Sequence, residues 1–339
     1  MTRPAHHRPD GRYRNPWPMA AGDEALRRKF GRLVREWLLG SHPRDPTAGM
    51  LPAVAPKMAG VDGTGPVPDG EVRVTWIGHA TTLIQLPGLN LLTDPVWSDR
   101  CSPVGFMGPH RFVAPPVSLD ALPPIHAVLL SHDHYDHLDR PTVEALQRRF
   151  GDDLAWLTPL GYRDWLADLG ITRVVERDWW EGELLPGGRY EAMAVPARHW
   201  TRRRPGGTNR RLWCGWVIRP AEGGAPGPIV YFAGDSGYCP AFGEIGERLG
   251  PFDLSLIPIG AYEPRWFMGA AHMNPEEAVQ AYRDAGGTGA FVGIHWGTWR
   301  LTFEDPLEPP VRARAAWVEV GLPEEDLHLL RHGETLALP

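Results

Sequence analysis

Apolar and polar residues alternate over 72–77 (Val-Arg-Val-Thr-Trp-Ile), 81–86 and 90–93, and the breaks between them fall at Gly78-His79 and Pro87-Gly88. A period of two punctuated by tight turns predicts a meander of three strands. The run Ile125-His126-Ala127-Val128-Leu129-Leu130 is apolar almost throughout and predicts a strand buried on both faces. Further strands are expected near 154–157, 173–175, 190–195, 212–218, 229–232, 254–258 and 290–294. Helical spacing predicts helices over 142–150 and 275–285, the second opened by Pro275 with Glu276 and Glu277 in its first turn. Strands and helices interleave, which predicts an α/β fold. No repeat of fixed period interrupts the pattern.

The first seventy residues read differently. Residues 1–22 have no periodicity and predict a mobile arm. Over 23–39, Leu26, Phe30, Leu33, Val34, Trp37 and Leu38 recur at helical spacing with Arg27, Arg28, Lys29, Arg32 and Arg35 on other faces, a basic amphipathic helix suited to packing on the body or meeting an anionic lipid surface. Residues 40–70 are rich in Pro and Gly and read as linker. The expected division is therefore an arm, helix and linker over 1–70 and a catalytic domain over 71–339.

Charge sharpens that division. The formal net charge is −6, and residues 1–50 hold ten Arg or Lys against five Asp or Glu, which leaves −11 on the rest. An acidic body disfavours a nucleic-acid polymer as substrate. Cys101, Cys214 and Cys239 show no paired spacing, which suits a reducing compartment. No apolar run approaches the roughly 18 residues of a membrane span. A cytoplasmic protein is expected, peripheral at most on the inner face of the membrane.

The candidate chemistry lies where the buried run 125–130 ends, at Ser131-His132-Asp133-His134-Tyr135-Asp136-His137-Leu138-Asp139. So many imidazoles and carboxylates together would repel or stay unpaired in a core unless a cation joins them. In extended chain His132 and His134 point one way, whereas Asp136 and His137 come where the chain turns and can face a second point, a spacing for two metals. His199, Asp235 and His295 recur, each at the end of an expected strand. Two zinc ions sharing a bridging carboxylate need about seven protein ligands, and these residues number seven. Imidazole with carboxylate suits zinc best, while iron and manganese remain open. No G-x-S-x-G elbow supplies a serine nucleophile.

The order HxHxDH, lone His, lone Asp, last His resembles the metallo-β-lactamase fold superfamily. Longer runs are similar to the N-acylphosphatidylethanolamine-hydrolysing phospholipase D family: Gly78-His79-Ala80-Thr81, Thr93-Asp94-Pro95, Met107-Gly108-Pro109, the segments 232–242 and 259–268, and Ile294-His295-Trp296-Gly297-Thr298. The resemblance implies a four-layer αβ/βα sandwich of two mixed β-sheets flanked by helices. It implies that His132, His134 and His199 hold one zinc, that Asp136, His137 and His295 hold the other, and that Asp235 bridges them. It places Asp94 and His79 behind the ligands and His272 beside the reacting phosphate. Tyr262, Arg202 and Arg203 become candidate substrate contacts, the arginines at the mouth of the site. Gly105-Phe106 and Ala271 depart from the Gln-Tyr and Gln expected of mammalian members, so polar headgroup contacts are expected to be fewer.

The implied activity is zinc-dependent hydrolysis of an N-acylated phospholipid to phosphatidic acid and an N-acylethanolamine. A homodimer and a phospholipid partner, with peripheral contact to anionic membrane, are implied with it. The competing readings are a hydrolase of the same fold acting on a small soluble ester, lactone or cyclic phosphodiester, and a lipid-surface binding protein with a structural metal. Purely structural sites are usually closed four-ligand cages, which counts against the last.

Overall fold

The architecture is that of a computed structural model, which describes residues 4–17, 31–33, 35, 36, 39, 40, 43–47, 49–61 and 65–339. The first sheet contains β1 (Val72–Gly78), β2 (Thr81–Leu86), β3 (Leu89–Thr93), β4 (Ala127–Leu129), β5 (Ala155–Pro159), β6 (Val174–Arg177) and the C-terminal β14 (Thr335–Leu338). The second contains β7 (Gly182–Leu184), β8 (Tyr190–Val195), β9 (Gly215–Pro220), β10 (Val230–Phe232), β11 (Leu254–Pro258), β12 (Ala290–Ile294) and β13 (Leu327–His328). Their spatial orders are β14-β1-β2-β3-β4-β5-β6 and β13-β12-β11-β10-β9-β8-β7. Both are mixed: β3 to β6 run parallel, as do β10 to β13, and the remaining pairs are antiparallel.

Period-two alternation decides which side chains meet between the sheets. Val74, Trp76, Leu91, Leu129 and Leu157 of one sheet share a core with Ala192, Trp216, Phe232, Leu256 and Val292 of the other. The alternate residues face outward and are covered by helices. Ile77, Leu92, Val128 and Trp156 pack with Val143 and Leu146 of α1 (Arg140–Phe150) and Leu166 of α2 (Arg163–Ala167). Val217, Tyr231, Ile257 and Phe291 pack with α3 (Ala241–Leu249), α5 (Pro275–Asp284) and α6 (Glu308–Glu319), while the short α4 (Arg265–Met268) stands apart from that core. Helix, sheet, sheet, helix is the four-layer order expected. Coverage on both faces explains why β4 and β12 are continuous apolar runs and why β11 is broken only by Ser255.

Several boundaries differ from the expected ones for local reasons. The strand expected over 212–218 begins only at Gly215, because Leu212 N donates to Leu160 O and Cys214 N to Ser131 O, so 212–214 are tied to the first sheet's loops. Helix α5 starts as expected, with Asn274 and Glu277 forming a reciprocal capping box. The helices α3 and α6 and the strand β14 went unpredicted. Pro309 and Pro310 at the head of α6 read as loop in sequence, although Pro is well tolerated in a first turn.

The mobile arm is corrected. Residues 4–17 lie on the body: His6 and His7 each hydrogen-bond Asp178, Tyr13 N donates to Asn209 O, and Trp17 stacks on Trp179 at 5.9 Å between centroids. Part of the expected linker is docked too, since Met58 and Ala59 are buried and Ala59 exchanges two hydrogen bonds with Gln85. Most of the helix expected over 23–39 lies outside the described residues; 31–33, 35, 36 and 39 are helical. Among the described residues no helix is long and apolar enough to cross a membrane.

Candidate metal centre

The donors converge at one edge of the sandwich, from the loops that follow β4, β8, β10 and β12. His132, His137, His199, Asp235 and His295 are all buried. Their hydrogen bonds assign the imidazole tautomers. Ser131 Oγ donates to Asp94 Oδ2 at 2.5 Å, so it accepts from His132 Nδ1 at 2.8 Å, and the proton on Nδ1 leaves Nε2 bare. His199 Nδ1 faces the carbonyl of Ala271 at 3.0 Å and must donate to it. His137 Nδ1 lies 2.6 Å from Asp94 Oδ2 and donates likewise. Each of these rings therefore points Nε2 to the interior, bare on the neutral rings of His132 and His199 and free on His137 once its second proton is displaced.

Ring nitrogens face one another across the interior. His132 Nε2 stands 2.9 Å and His199 Nε2 3.2 Å from His134 Nδ1, while His137 Nε2 stands 3.2 Å from His295 Nε2. Bare nitrogens at such separations repel unless a proton or a cation lies between them. Asp235 sits between the two groups, with Oδ2 3.1 Å from His137 Nε2 and 3.8 Å from the Nε2 atoms of His132 and His199, and Oδ1 3.1 Å from His295 Nε2. Neither of its oxygens has a hydrogen-bonded partner, a costly state for a carboxylate that is 3% exposed. Facing donors around an unpartnered carboxylate fit a bound metal. Among the described residues, four sets of donor atoms at this centre are compact enough for an ion: His132 with His134 and His199, Asp136 with His137, His295 and His79, Asp94 with His132 and His137, and Asp235 with His199 and His272.

The first two of these sets differ in charge. Burial, reinforced by neighbouring imidazoles, holds His132 well below its ordinary pKa, and burial brings His134 down to about 3 and His199 to about 4. They are neutral imidazoles, the form that ligates. Around His137 burial also lowers the pKa, but Asp235, Asp136 and Asp94 outweigh it and raise the ring well above its ordinary value; His295 is raised to about 9 in the same way. Three carboxylates there call for positive charge, which protons or a metal can supply.

The supporting groups are as specific. Asp94 accepts from Ser131 N, Ser131 Oγ and His137 Nδ1, so it fixes one ring directly and His132 through Ser131. His79 Nε2 donates to Asp136 Oδ2 at 2.9 Å, which uses that nitrogen and makes His79 an orienter of Asp136. His79, Asp94 and His295 all have positive φ (56°, 33° and 65°), backbone strain that tertiary contacts must hold. Asn15 Nδ2 donates to the carbonyl of His199 at 2.9 Å, a contact that the chain's N-terminal pattern did not foretell.

His272 lies at the rim of the donors, with Nδ1 3.9 Å from Asp235 Oδ2, no hydrogen-bonded partner on that atom, and its ring 5.1 Å from that of His199. Two expected substrate contacts are placed elsewhere. Tyr262 is fully buried with the Arg312 guanidinium over its ring, so it presents no surface to a substrate. Arg203 spends its guanidinium on the carbonyls of Asp133 and Leu138 and on the faces of Tyr135 and Trp165, which locks the loop and leaves only Arg202 of that pair with an exposed side chain. Cys239, near Asp235 in sequence, is buried and its thiol is pushed up to about 11, so it is no nucleophile.

A family profile described as the beta-lactamase superfamily domain matches residues 89–296, a span that holds every donor above except His79. The chain belongs to the metallo-β-lactamase superfamily. It is 43% identical over 244 residues to N-acyl-phosphatidylethanolamine-hydrolyzing phospholipase D 1 of Caenorhabditis elegans, covering 69% of this chain and 67% of the worm protein. An uncharacterized protein of Mycobacterium tuberculosis is 42% identical over 296 residues, 86% of this chain and 74% of its own length. Among solved structures, an isothiocyanate hydrolase from Delia radicum gut bacteria superposes with a TM-score of 0.61 at 21% identity, over 78% of this chain and 99% of that one, a likeness of fold. Membership makes the protein a metal-dependent hydrolase and its His/Asp cluster the metal-binding candidate.

Proposed function

We propose that the protein is a dinuclear phosphodiesterase of the phospholipase D type, loaded with zinc, that converts N-acylphosphatidylethanolamine to phosphatidic acid and an N-acylethanolamine. One observation carries the reading: an unpartnered buried carboxylate, Asp235, between two sets of facing donors, in a chain 43% identical to an enzyme named for that activity. His132, His134 and His199 would hold one ion, Asp136, His137 and His295 the other, and Asp235 would touch both. Bound there, the ions would bring the pKa of a water towards neutrality and offset charge growing on the phosphodiester.

The chain's own groups do the rest. Asp94 and Ser131 keep the ligand imidazoles in one tautomer, and His79 keeps Asp136 aimed. Burial holds His272 well below its ordinary pKa, with Asp235 pulling weakly the other way, so the ring meets substrate neutral. A neutral imidazole serves as a hydrogen-bond donor to a phosphoryl oxygen better than as an acid for the leaving alcohol. Exposed Phe106 and Met107 and the exposed Arg202, Arg204 and Arg210 offer apolar and cationic contacts to an anionic lipid surface.

Metal analysis combined with turnover of N-acylphosphatidylethanolamine and of bis-p-nitrophenyl phosphate tests the proposal. Two zinc per chain and cleavage of the lipid are expected. Two metals with turnover of the soluble diester alone would replace the lipid by a small phosphodiester, and metal without turnover of either would remove the phosphodiesterase reading.

A further inference from the structure

A cavity of about 320 Å³, counted with its open mouth, adjoins the metal centre and shares His79 and His295 with it. Trp296, Trp299, Arg300 and Leu301 are among the residues that line this narrow and largely polar space. The Arg300 side chain is only 12% exposed, and its Nε donates to Asp45 Oδ1 at 2.7 Å. Nη1 and Nη2 are buried with no hydrogen-bonded partner. Glu304, the carboxylate of that wall, does not supply one. Its oxygens accept from Ala261 N, Glu263 N and Thr302 Oγ1 at 2.7, 3.1 and 2.6 Å.

Arginine stays charged at any working pH, and a guanidinium with most of its N–H groups unpaired out of water is an uncommon arrangement. The partner it does have is a weak one. Asp45 comes from the segment 43–47 and is 66% exposed, so the pair is screened and easily exchanged. An exposed carboxylate resting on a buried guanidinium also shows which chemistry the position accepts: an oxyanion presented to a planar fork.

We propose that Arg300 is the anion-binding element of this cavity, taking the phosphate or carboxylate group of a ligand whose remainder lies outside it, with Asp45 as a built-in competitor. The assignment is independent of the phosphodiesterase reading, since it needs neither metal nor turnover. In a substrate it would select molecules with an acidic group beyond the reacting bond, and in a product it would retain the newly freed anion.

The two residues make opposite predictions, which permits a decisive titration. Short-chain phosphatidate and, separately, inorganic phosphate are titrated into metal-loaded wild type, Arg300→Met and Asp45→Asn, followed by calorimetry and by tryptophan fluorescence. Any phosphate bound at the metals is common to all three proteins. Phosphatidate should bind about tenfold or more weakly to Arg300→Met, the worth of one charge-assisted hydrogen bond, and severalfold more tightly to Asp45→Asn. Inorganic phosphate following the same order identifies the bare oxyanion as sufficient; phosphatidate alone following it identifies the remainder of the ligand as required. Should Arg300→Met fold poorly, Arg300→Lys, which keeps the charge and loses the fork, should show an intermediate affinity. Equal affinities in the three proteins, or a shift of the same sign in both variants, would overturn the proposal.

Discussion

Two clusters in this protein are built from the same side chains and are arranged in opposite ways. At the metal centre, imidazole nitrogen faces imidazole nitrogen and the Asp235 carboxylate has no hydrogen-bonded partner. At the N-terminal segment, His6 Nε2 lies 2.6 Å from Asp178 Oδ1 and His7 Nε2 2.7 Å from Oδ2, so each carboxylate oxygen has its own donor. His6 is further stacked on Trp179 at 4.1 Å. Residue type alone would rank both as metal sites, and both are compact enough. Satisfaction separates them: the outer cluster closes its own hydrogen-bond account, whereas the inner one is left with lone pairs and charge that only a cation can use.

Four measurements bear on that contrast. The largest effect is expected from Asp235→Asn, which removes the charge shared by both donor sets: turnover should fall to that of metal-stripped protein, with at least one metal lost by elemental analysis. Full activity in this variant would end the dinuclear scheme. Next comes His272→Ala, expected to keep both metals and to lose about 10²–10³ in kcat, the cost of one hydrogen-bond donor to developing charge. Its neutral ring predicts equal losses on lipid and nitrophenyl diester; a loss confined to the lipid would instead assign it proton donation to the leaving alcohol.

The third measurement is pH dependence of metal uptake. His137 and His295 hold protons in the absence of metal, His295 up to about 9, and a metal must displace them. Raising the pH removes the competing proton, so affinity by calorimetry should climb about tenfold per pH unit for each proton displaced, with the His295 contribution levelling off above about 9. A flat profile from 6 to 9 would contradict the charge assignment. The smallest effect on the centre should come from His6→Ala combined with His7→Ala. Metal content should not change, while denaturant melts should show a loss of about 1–3 kcal/mol for the two hydrogen bonds. A drop in metal stoichiometry would turn the clamp into a third metal site and break the contrast.

The seven donors were legible in sequence because each ends a strand and because HxHxDH is compact. The strands themselves were legible where alternation or an unbroken apolar run marked them, as in β1, β4 and β12. What could not be read was whatever depends on distant partners. The role of Ser131 follows from its hydroxyl lying between Asp94 and His132, which requires β3 beside β4. Tyr262 looked like a substrate contact until α6 laid Arg312 across it, and Pro309-Pro310 had hidden that helix. The arginines after His199 looked alike, and only the fold shows that Arg203 and Arg211 are spent on Asp133 and its neighbours while Arg202 stays exposed. Nothing in the sequence of residues 4–17 announced that they dock.

The hydrogen bond from Asn15 to the His199 carbonyl has a consequence for biogenesis. It joins positions 184 apart, and the last donor, His295, follows nearly a hundred residues later. At about 5–20 residues per second, something on the order of 15 to 60 s separates the emergence of Asn15 from that of His295 on the ribosome. Before His295 emerges, the set of His132, His134 and His199 with Asp235 is already complete in sequence, whereas the set of Asp136 and His137 with Asp235 still lacks its last ring. An ion captured early by that second set would be held by incomplete and exchangeable ligands, so this half of the centre is filled after β12 has joined its sheet, and the ion it keeps is chosen by the folded protein and not by whichever ion the growing chain met first.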